Sequence, residues 1–185
     1  MNENSLFAFA VTAVLIELTP GPNMGYLAVV AASAGRRAGL AATAGVAVGL
    51  LGTGIASSLG LAAIVATSGL AYELLGWSGA FYLLWLAWEG WRDAPGGFEK
   101  SVDTSSDKGF FLKGFVTNLL NPKASIFYLS VFPAFIDDDR PLLAQTAILL
   151  AVYVMIATVI HSVVVFLADG IRPILVLYTI RNATS

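Results

Sequence analysis

The sequence has no cysteine and only one histidine, His161, in 185 residues. The absence of cysteine excludes disulfides, thiol redox chemistry and thiolate metal sites, and a single histidine excludes a multi-histidine site within one chain. No nucleophile–base pair or metal cluster is visible, so we expect neither an enzyme nor a cofactor. Charge is scarce as well: charged residues make up 12% of the chain, and the net charge of -2 offers no basic field for nucleic acid.

Hydrophobic residues dominate the chain. They account for 57% of it, and the mean hydropathy is +0.79. Soluble domains, by contrast, have roughly a quarter of their residues charged. We therefore predict an all-α, polytopic membrane protein, since one crossing takes ~20 apolar residues. Five segments meet this requirement: residues 6–34, 40–67, 70–91, 114–136 and 142–168.

One long polar connection, residues 92–113, separates a first three-helix unit at 1–91 from a second unit at 114–185. Given these spans, most basic residues fall on one side of the membrane, namely Arg36, Arg37, Arg92, Lys100, Lys108, Lys113, Arg172 and Arg181. Cytoplasmic loops are enriched in Lys and Arg, so the N-terminus is predicted outside and the 92–113 connection in the cytoplasm. A three-helix unit used twice in this way would form an inverted repeat.

Proline interrupts the first and fourth predicted spans near their middles, in Thr19-Pro20-Gly21-Pro22-Asn23 and in Asn121-Pro122-Lys123-Ala124. An unsatisfied backbone group in lipid is costly, so such a break is tolerated only beside protein or a water-filled cavity. Paired breaks in the two halves indicate a solute site near the bilayer centre. The alternative is that the breaks only kink their helices, with neighbouring side chains satisfying the freed backbone.

Two charged residues lie near the breaks at a similar depth. With a rise of ~1.5 Å per residue, Glu17 lies ~17 Å from the outer start of its span, and Lys123 ~14 Å from the inner start of its own. Such charges need a partner or a wet cavity, so we expect the two to pair if their spans cross; otherwise each is satisfied locally. His161 lies ~30 Å into its span, which predicts an interfacial or packing role rather than a proton relay.

These residues define a candidate substrate site. Its members are Glu17, Thr19, Pro20, Gly21, Pro22, Asn23, Asn118, Asn121, Pro122 and Lys123. The helix starts at Pro22 and Pro122 offer amides and positive dipole ends for a substrate carboxylate, to which Lys123 adds a full charge. Thr19 and the three asparagines would supply orienting hydrogen bonds. Glu17 would receive the substrate ammonium or carry the coupling proton.

Small residues recur towards and along the second span: Gly35, Gly39, Gly45, Gly49, Ala56 and Gly60. They allow helix backbones to approach closely. Two uses are open, internal packing and the face of a homodimer.

Ordered motifs extend over nearly the whole chain. They are Thr19-Pro20-Gly21-Pro22-Asn23, the Gly35, Gly39, Gly45 and Gly49 series, Trp77-Ser78-Gly79-Ala80-Phe81-Tyr82-Leu83, Gly114-Phe115 with Asn118, Asn121-Pro122-Lys123-Ala124, and Phe132-Pro133-Ala134-Phe135. In these motifs the chain resembles the LysE/RhtB-type amino-acid exporters of bacterial inner membranes. The resemblance implies efflux of amino acids or related small metabolites, driven by the proton motive force, through six helices in two inverted three-helix repeats.

The C-terminal region departs from that pattern. Gly170-Ile171-Arg172-Pro173 leads into an apolar stretch at 174–180 that is shorter than the ~20 residues of a crossing. The sixth helix is therefore expected to be missing or truncated. An oligomeric partner could fill the gap, or the chain could be a non-transporting or oligomer-dependent subunit derived from such an exporter.

Overall fold

A computed structural model of the chain describes residues 3–58, 106–137 and 139–183. These residues form six α-helices and one 3-10 helix, with no strand among them, which confirms the all-α prediction for this part of the chain. The helices are α1 Glu3–Leu18, α2 Pro22–Ala34, α3 Arg36–Ser58, α4 Asp107–Leu119, α5 Pro122–Ser130 and α6 Leu142–Ala183, with the 3-10 helix at Phe132–Phe135. The predicted span at 70–91 and residues 92–105 of the predicted connection lie outside the described residues.

Two unbroken helical segments in the described ranges are long and apolar enough to cross a membrane, Arg36–Ser57 of α3 and Leu143–Arg172 of α6. Helices α1 and α2 form a third candidate when taken together, as a pair bent by 58°. Helices α4 and α5, with 13 and 9 residues, are each shorter than a crossing. The predicted span at 114–136 is therefore a broken element, and it starts earlier than predicted because α4 begins at Asp107.

Helix α6 differs from the prediction at its C-terminal end. It continues past Ala168 and through Pro173 to Ala183, for 42 residues in all. A proline inside a helix removes one hydrogen bond and can bend the helix without ending it. The apolar stretch at 174–180 is thus a continuation of α6, and this helix runs past Ala168, the predicted end of the fifth span.

Glycines bring α3 and α4 into backbone contact. A Cβ atom on Gly45 would overlap the carbonyl oxygen of Phe111, and one on Gly114 would overlap that of Ala42. Further along α3, a Cβ on Gly49 would come within 2.9 Å of the side-chain nitrogen of Asn118. Gly45 and Gly49 of the predicted series therefore serve packing within the chain, which fixes the position of α4 on α3; Gly60 of that series lies outside the described residues.

The exposed charged residues of the described ranges lie near the two ends of the helices, and apolar side chains cover the surface between them. Arg37 at the start of α3 binds Asp107 at the start of α4, with Nη2 and Oδ2 2.9 Å apart. We call this the basic end; it also carries Arg36, Lys108 and Arg172. Arg140 lies at the opposite end. Outward-facing large apolar side chains between the ends include Phe7, Leu15, Val29, Ile55, Met155 and Leu167, as lipid-facing helices require.

Candidate functional site

The first helix break separates α1, which ends at Leu18, from α2, which begins at Pro22. A residue before proline is disfavoured in the helical conformation, and both Thr19 and Gly21 precede one. Gly21 is extended, with φ -147° and ψ 176°, and among the described residues no side chain caps α2. The first amides of α2, which have no partner within the helix, are therefore left without a side-chain acceptor.

The second break separates α4 from α5 and is capped by its own side chain. Asn121 is extended, with φ -85° and ψ 108°, and its Oδ1 accepts a hydrogen bond of 3.0 Å from the backbone N–H of Lys123. Asparagine is among the preferred N-cap residues for this reason. The Lys123 side chain then reaches the first break, where its Nζ donates to the carbonyl of Thr19 at 2.8 Å.

Glu17 lies at the centre of the site and is only 4% exposed. Its Oε1 accepts a hydrogen bond of 2.7 Å from the hydroxyl of Tyr153, and its Oε2 lies 3.4 Å from Nε2 of His161. The ammonium of Lys123 is 4.0 Å from Oε1, so the predicted pairing of Glu17 with Lys123 is confirmed. Groups from α5 and α6 thus surround one buried carboxylate from α1, which is how a buried charge is made tolerable.

Two buried asparagines connect α2 to α4 beside this carboxylate. Asn23 donates through Nδ2 to Oδ1 of Asn118 at 2.8 Å, and both side chains are buried. This arrangement leaves Oδ1 of Asn23 and Nδ2 of Asn118 without a partner among the described residues. Buried polar atoms are nearly always hydrogen-bonded, so the spare acceptor of Asn23 is available to a ligand or to water.

A small cavity lies where these groups meet. Its walls include Glu17, Gly21, Asn23, Lys123, Tyr153 and His161, and its volume is about 10 Å³. This is roughly the room that one water molecule needs. A solute as large as an amino acid can enter only if the surrounding helices move apart.

An aromatic cluster lies between the cavity and the Arg140 end. The ring of Phe9, about two turns before Glu17 in α1, is 5.4 Å from that of Phe132 and 5.3 Å from that of Phe135. Phe127 stacks on Tyr153 with ring centroids 4.1 Å apart. In the part of the chain that the structure describes, these rings pack next to Tyr153, which lines the cavity.

A profile of the LysE type translocator family matches residues 14–181, which is most of the chain. The chain belongs to this family. It is 32% identical to the homoserine/homoserine lactone efflux protein of Salmonella typhimurium over 166 residues, 89% of this chain and 81% of that protein. It is also 26% identical to the threonine efflux protein of Salmonella typhi over 138 residues, 72% of this chain and 67% of that protein.

A third relative, named an uncharacterized membrane protein of Vibrio cholerae, is 34% identical over 134 residues, 72% of this chain and 65% of that protein. No solved structure matches the chain. Members of the LysE type translocator family are membrane transporters rather than enzymes, so the expected class of protein is confirmed.

The structure brings together only some of the predicted site residues of this translocator. The cavity is lined by Glu17, Gly21, Asn23, Asn121 and Lys123, and Pro22 and Pro122 start the two helices beside it. Asn118 reaches the site through Asn23. Thr19 contributes its carbonyl, whereas its hydroxyl donates back to the carbonyl of Leu15 at 3.2 Å. Pro20 is exposed.

Two residues that contact Glu17 are absent from the predicted site, His161 and Tyr153. The depth estimate placed His161 at the interface because it counted from residue 142 and took the span to end at 168. The apolar segment of α6 extends from Leu143 to Arg172, so His161 lies about 5 Å from its middle. Its side chain is buried among its neighbours, and its depth in the membrane stays a prediction. A count from the middle of the uninterrupted apolar run, rather than from its start, would have identified His161 as a candidate. Nothing in the sequence distinguishes Tyr153 from a packing aromatic residue.

Proposed function

We propose that this translocator exports amino acids or related small metabolites across the bacterial inner membrane, driven by the proton motive force. One observation carries the proposal: a buried carboxylate, Glu17, lies where two broken helices meet, beside a cavity with an ammonium and an imidazole in its walls. An ionisable residue at such a depth is by default a candidate for function. The relatives named for homoserine and threonine efflux support the same class of substrate.

The two charged ends of an amino acid find complementary groups in the site. A substrate carboxylate would bind the uncapped amides at the start of α2, with the Lys123 ammonium close by. The substrate ammonium would bind Glu17, and the spare acceptor of Asn23 would orient it. When no substrate is bound, Glu17 would take up the coupling proton, which removes its charge for the return step.

Access to the site would alternate between the two ends of the helices. We assign the basic end to the cytoplasm and the N-terminus to the outside, because cytoplasmic connections are rich in Lys and Arg. The aromatic cluster around Phe9 and Phe127 would then separate the cavity from the outer side. Loading from the cytoplasm requires the cavity to widen, and release requires these rings to separate.

Transport into inverted membrane vesicles tests the proposal. Vesicles that contain the protein should accumulate radiolabelled L-homoserine or L-threonine when energised, and an uncoupler should abolish the accumulation. Glu17→Gln, which keeps the shape but removes the charge, should lower accumulation at least about tenfold. Lys123→Ala should lower it as well, because the site loses its cation.

Glu3→Gln is the matched control, since it makes the same chemical change in the same helix at an exposed position. It should transport like the parent. Parental transport by both Glu17→Gln and Lys123→Ala, at normal levels of inserted protein, would show that the site is placed wrongly. Absence of saturable, uncoupler-sensitive accumulation across a broad panel of amino acids would refute the exporter itself.

A further inference from the structure

We propose that His161 is the group through which the coupling proton leaves Glu17 towards the basic end of the protein. The inference rests on the proposed function and adds a second proton-binding residue to it. Glu17 and His161 are 4% and 3% exposed, and the carboxylate Oε2 lies 3.4 Å from the imidazole Nε2. A small movement or one water molecule in the adjoining cavity suffices for proton transfer over this distance.

The two oxygens of Glu17 face opposite directions along α6. Oε1 is bound by Tyr153, which lies about two turns nearer the Arg140 end than His161. Oε2 faces His161, which lies on the side of Arg172 and the basic end. Tyrosine ordinarily titrates near pH 10, whereas histidine titrates between pH 5 and 8. The side of Glu17 nearest the basic end therefore carries the residue suited to exchange a proton at physiological pH.

The second imidazole nitrogen supports the same role. Nδ1 of His161 is buried and has no hydrogen-bond partner among the residues that the structure describes. The nitrogen of a histidine that carries the proton is normally fixed by the hydrogen bond of the other nitrogen. No such bond fixes His161 here, so Nε2 is able to accept a proton from Glu17 and to release it again.

The charges around the imidazole show when the proton would move. In the described part of the chain, Glu17 of α1, Lys123 of α5 and Tyr153 of α6 face the pair, and Tyr128 of α5 lies behind Tyr153 with its hydroxyl donated to the carbonyl of Leu50. The α2 and α3 side chains in the cavity wall, Asn23, Met24 and Leu50, are neutral. A protonated Glu17 with neutral His161 leaves Lys123 as an unbalanced charge. When a substrate ammonium arrives at Glu17, it favours the carboxylate and drives the proton away.

The step itself is a simple proton transfer. The O–H bond at Oε2 of Glu17 breaks and an N–H bond forms at Nε2 of His161, so a neutral acid and a neutral imidazole become a carboxylate and an imidazolium. The imidazolium then loses its proton to water on the side of the basic end. The carboxylate that remains binds the substrate ammonium, and no electron is transferred.

Two assays on purified protein in liposomes distinguish proton coupling from movement of the substrate. Exchange of radiolabelled L-homoserine against unlabelled L-homoserine at equal pH needs only the substrate site, whereas accumulation against a gradient needs the proton. In His161→Gln we expect the accumulation ratio to fall at least about tenfold, while exchange falls by no more than about threefold. The pH dependence of the remaining exchange should also become shallower, because one proton-binding group has been removed.

Ser162→Ala is the matched control, because Ser162 is the next residue in α6 and, within the described ranges, its hydroxyl bonds to the carbonyl of Thr158 alone. It should keep both activities. Parental coupling in His161→Gln would overturn the proposal, and so would equal loss of exchange and accumulation in a variant that elutes and melts like the parent. Failure of the parent itself to exchange or accumulate any amino acid would instead refute the proposed function, so the two failures are distinguishable.

Discussion

The two helix breaks contain similar residues but satisfy their backbone groups differently. At the second break, the side chain of Asn121 caps α5 through the backbone N–H of Lys123. At the first, Gly21 offers no cap to α2, and the freed carbonyl of Thr19 is bound by Lys123. The second break is therefore complete in itself, whereas the first depends on the second for one of its hydrogen bonds.

This difference assigns separate tasks to the two breaks. The uncapped amides and the buried carboxylate belong to the first break, on α1 and α2, so a ligand can complete that break. The second break belongs to α4 and α5, and α4 is packed backbone against backbone on α3. The tightly packed helices of the second break, which carry Lys123, thus face the first break, which carries Glu17 and still has backbone amides without an acceptor.

The contact between α3 and α4 can be disrupted by adding one methyl group. Gly45→Ala places a Cβ where the carbonyl oxygen of Phe111 lies, and backbone cannot withdraw as a flexible side chain would. We expect a loss of about 3 kcal/mol in stability, the upper end for overpacked interiors. The midpoint of thermal unfolding in detergent and the yield of monodisperse protein measure the effect.

Gly52→Ala, in the same helix, is the control, because no described atom lies within 4 Å of its added Cβ. It should unfold like the parent. Equal stability of the two variants would mean that α3 and α4 are not in backbone contact at Gly45. The second break would then not be held more tightly than the first.

Much of this comparison could be predicted from the sequence. The two breaks, the helical class and the pairing of Glu17 with Lys123 follow from proline positions, apolar runs and helical rise. The structure changes which residues of the two breaks correspond. The motifs Thr19-Pro20 and Asn121-Pro122 align by sequence, but the helices after the breaks begin at Pro22 and Pro122. By helix position, Asn23 therefore corresponds to Lys123.

Other features depend on tertiary contacts that no local pattern carries. Whether Asn121 turns its oxygen to its own helix or to a ligand is decided by the conformation of the break. His161 and Tyr153 reach Glu17 because α6 packs against α1 at this point, and a count of residues along one span does not reveal that contact. The hydroxyl of Thr19 bonds within its own helix, a common alternative for threonine that spacing does not distinguish from a ligand contact.

Asn121→Ala tests whether the second break is self-sufficient. Removal of the cap should cost about 1 kcal/mol of stability, and it should also weaken transport because the backbone of Lys123 loses its anchor. Asn121→Ser, which can cap in the same way, should restore most of the stability. A melting temperature unchanged in Asn121→Ala would show that the break is held by its neighbours instead.

The smallest expected effect comes from giving the first break the cap that the second already has. Gly21→Ser places a hydroxyl where it can accept from the first amides of α2, so it competes with a substrate carboxylate for those donors. Its control is Gly21→Ala, because both variants add the same Cβ, 3.3 Å from Cδ of Lys123, and only serine adds an acceptor. We expect the L-homoserine concentration at half-saturation of exchange to be about threefold higher in the serine variant than in the alanine variant, and the serine variant to be as stable as the alanine variant. Equal affinities in the two variants would show that the α2 amides do not bind the carboxylate, and Lys123 would then be the remaining candidate for that contact.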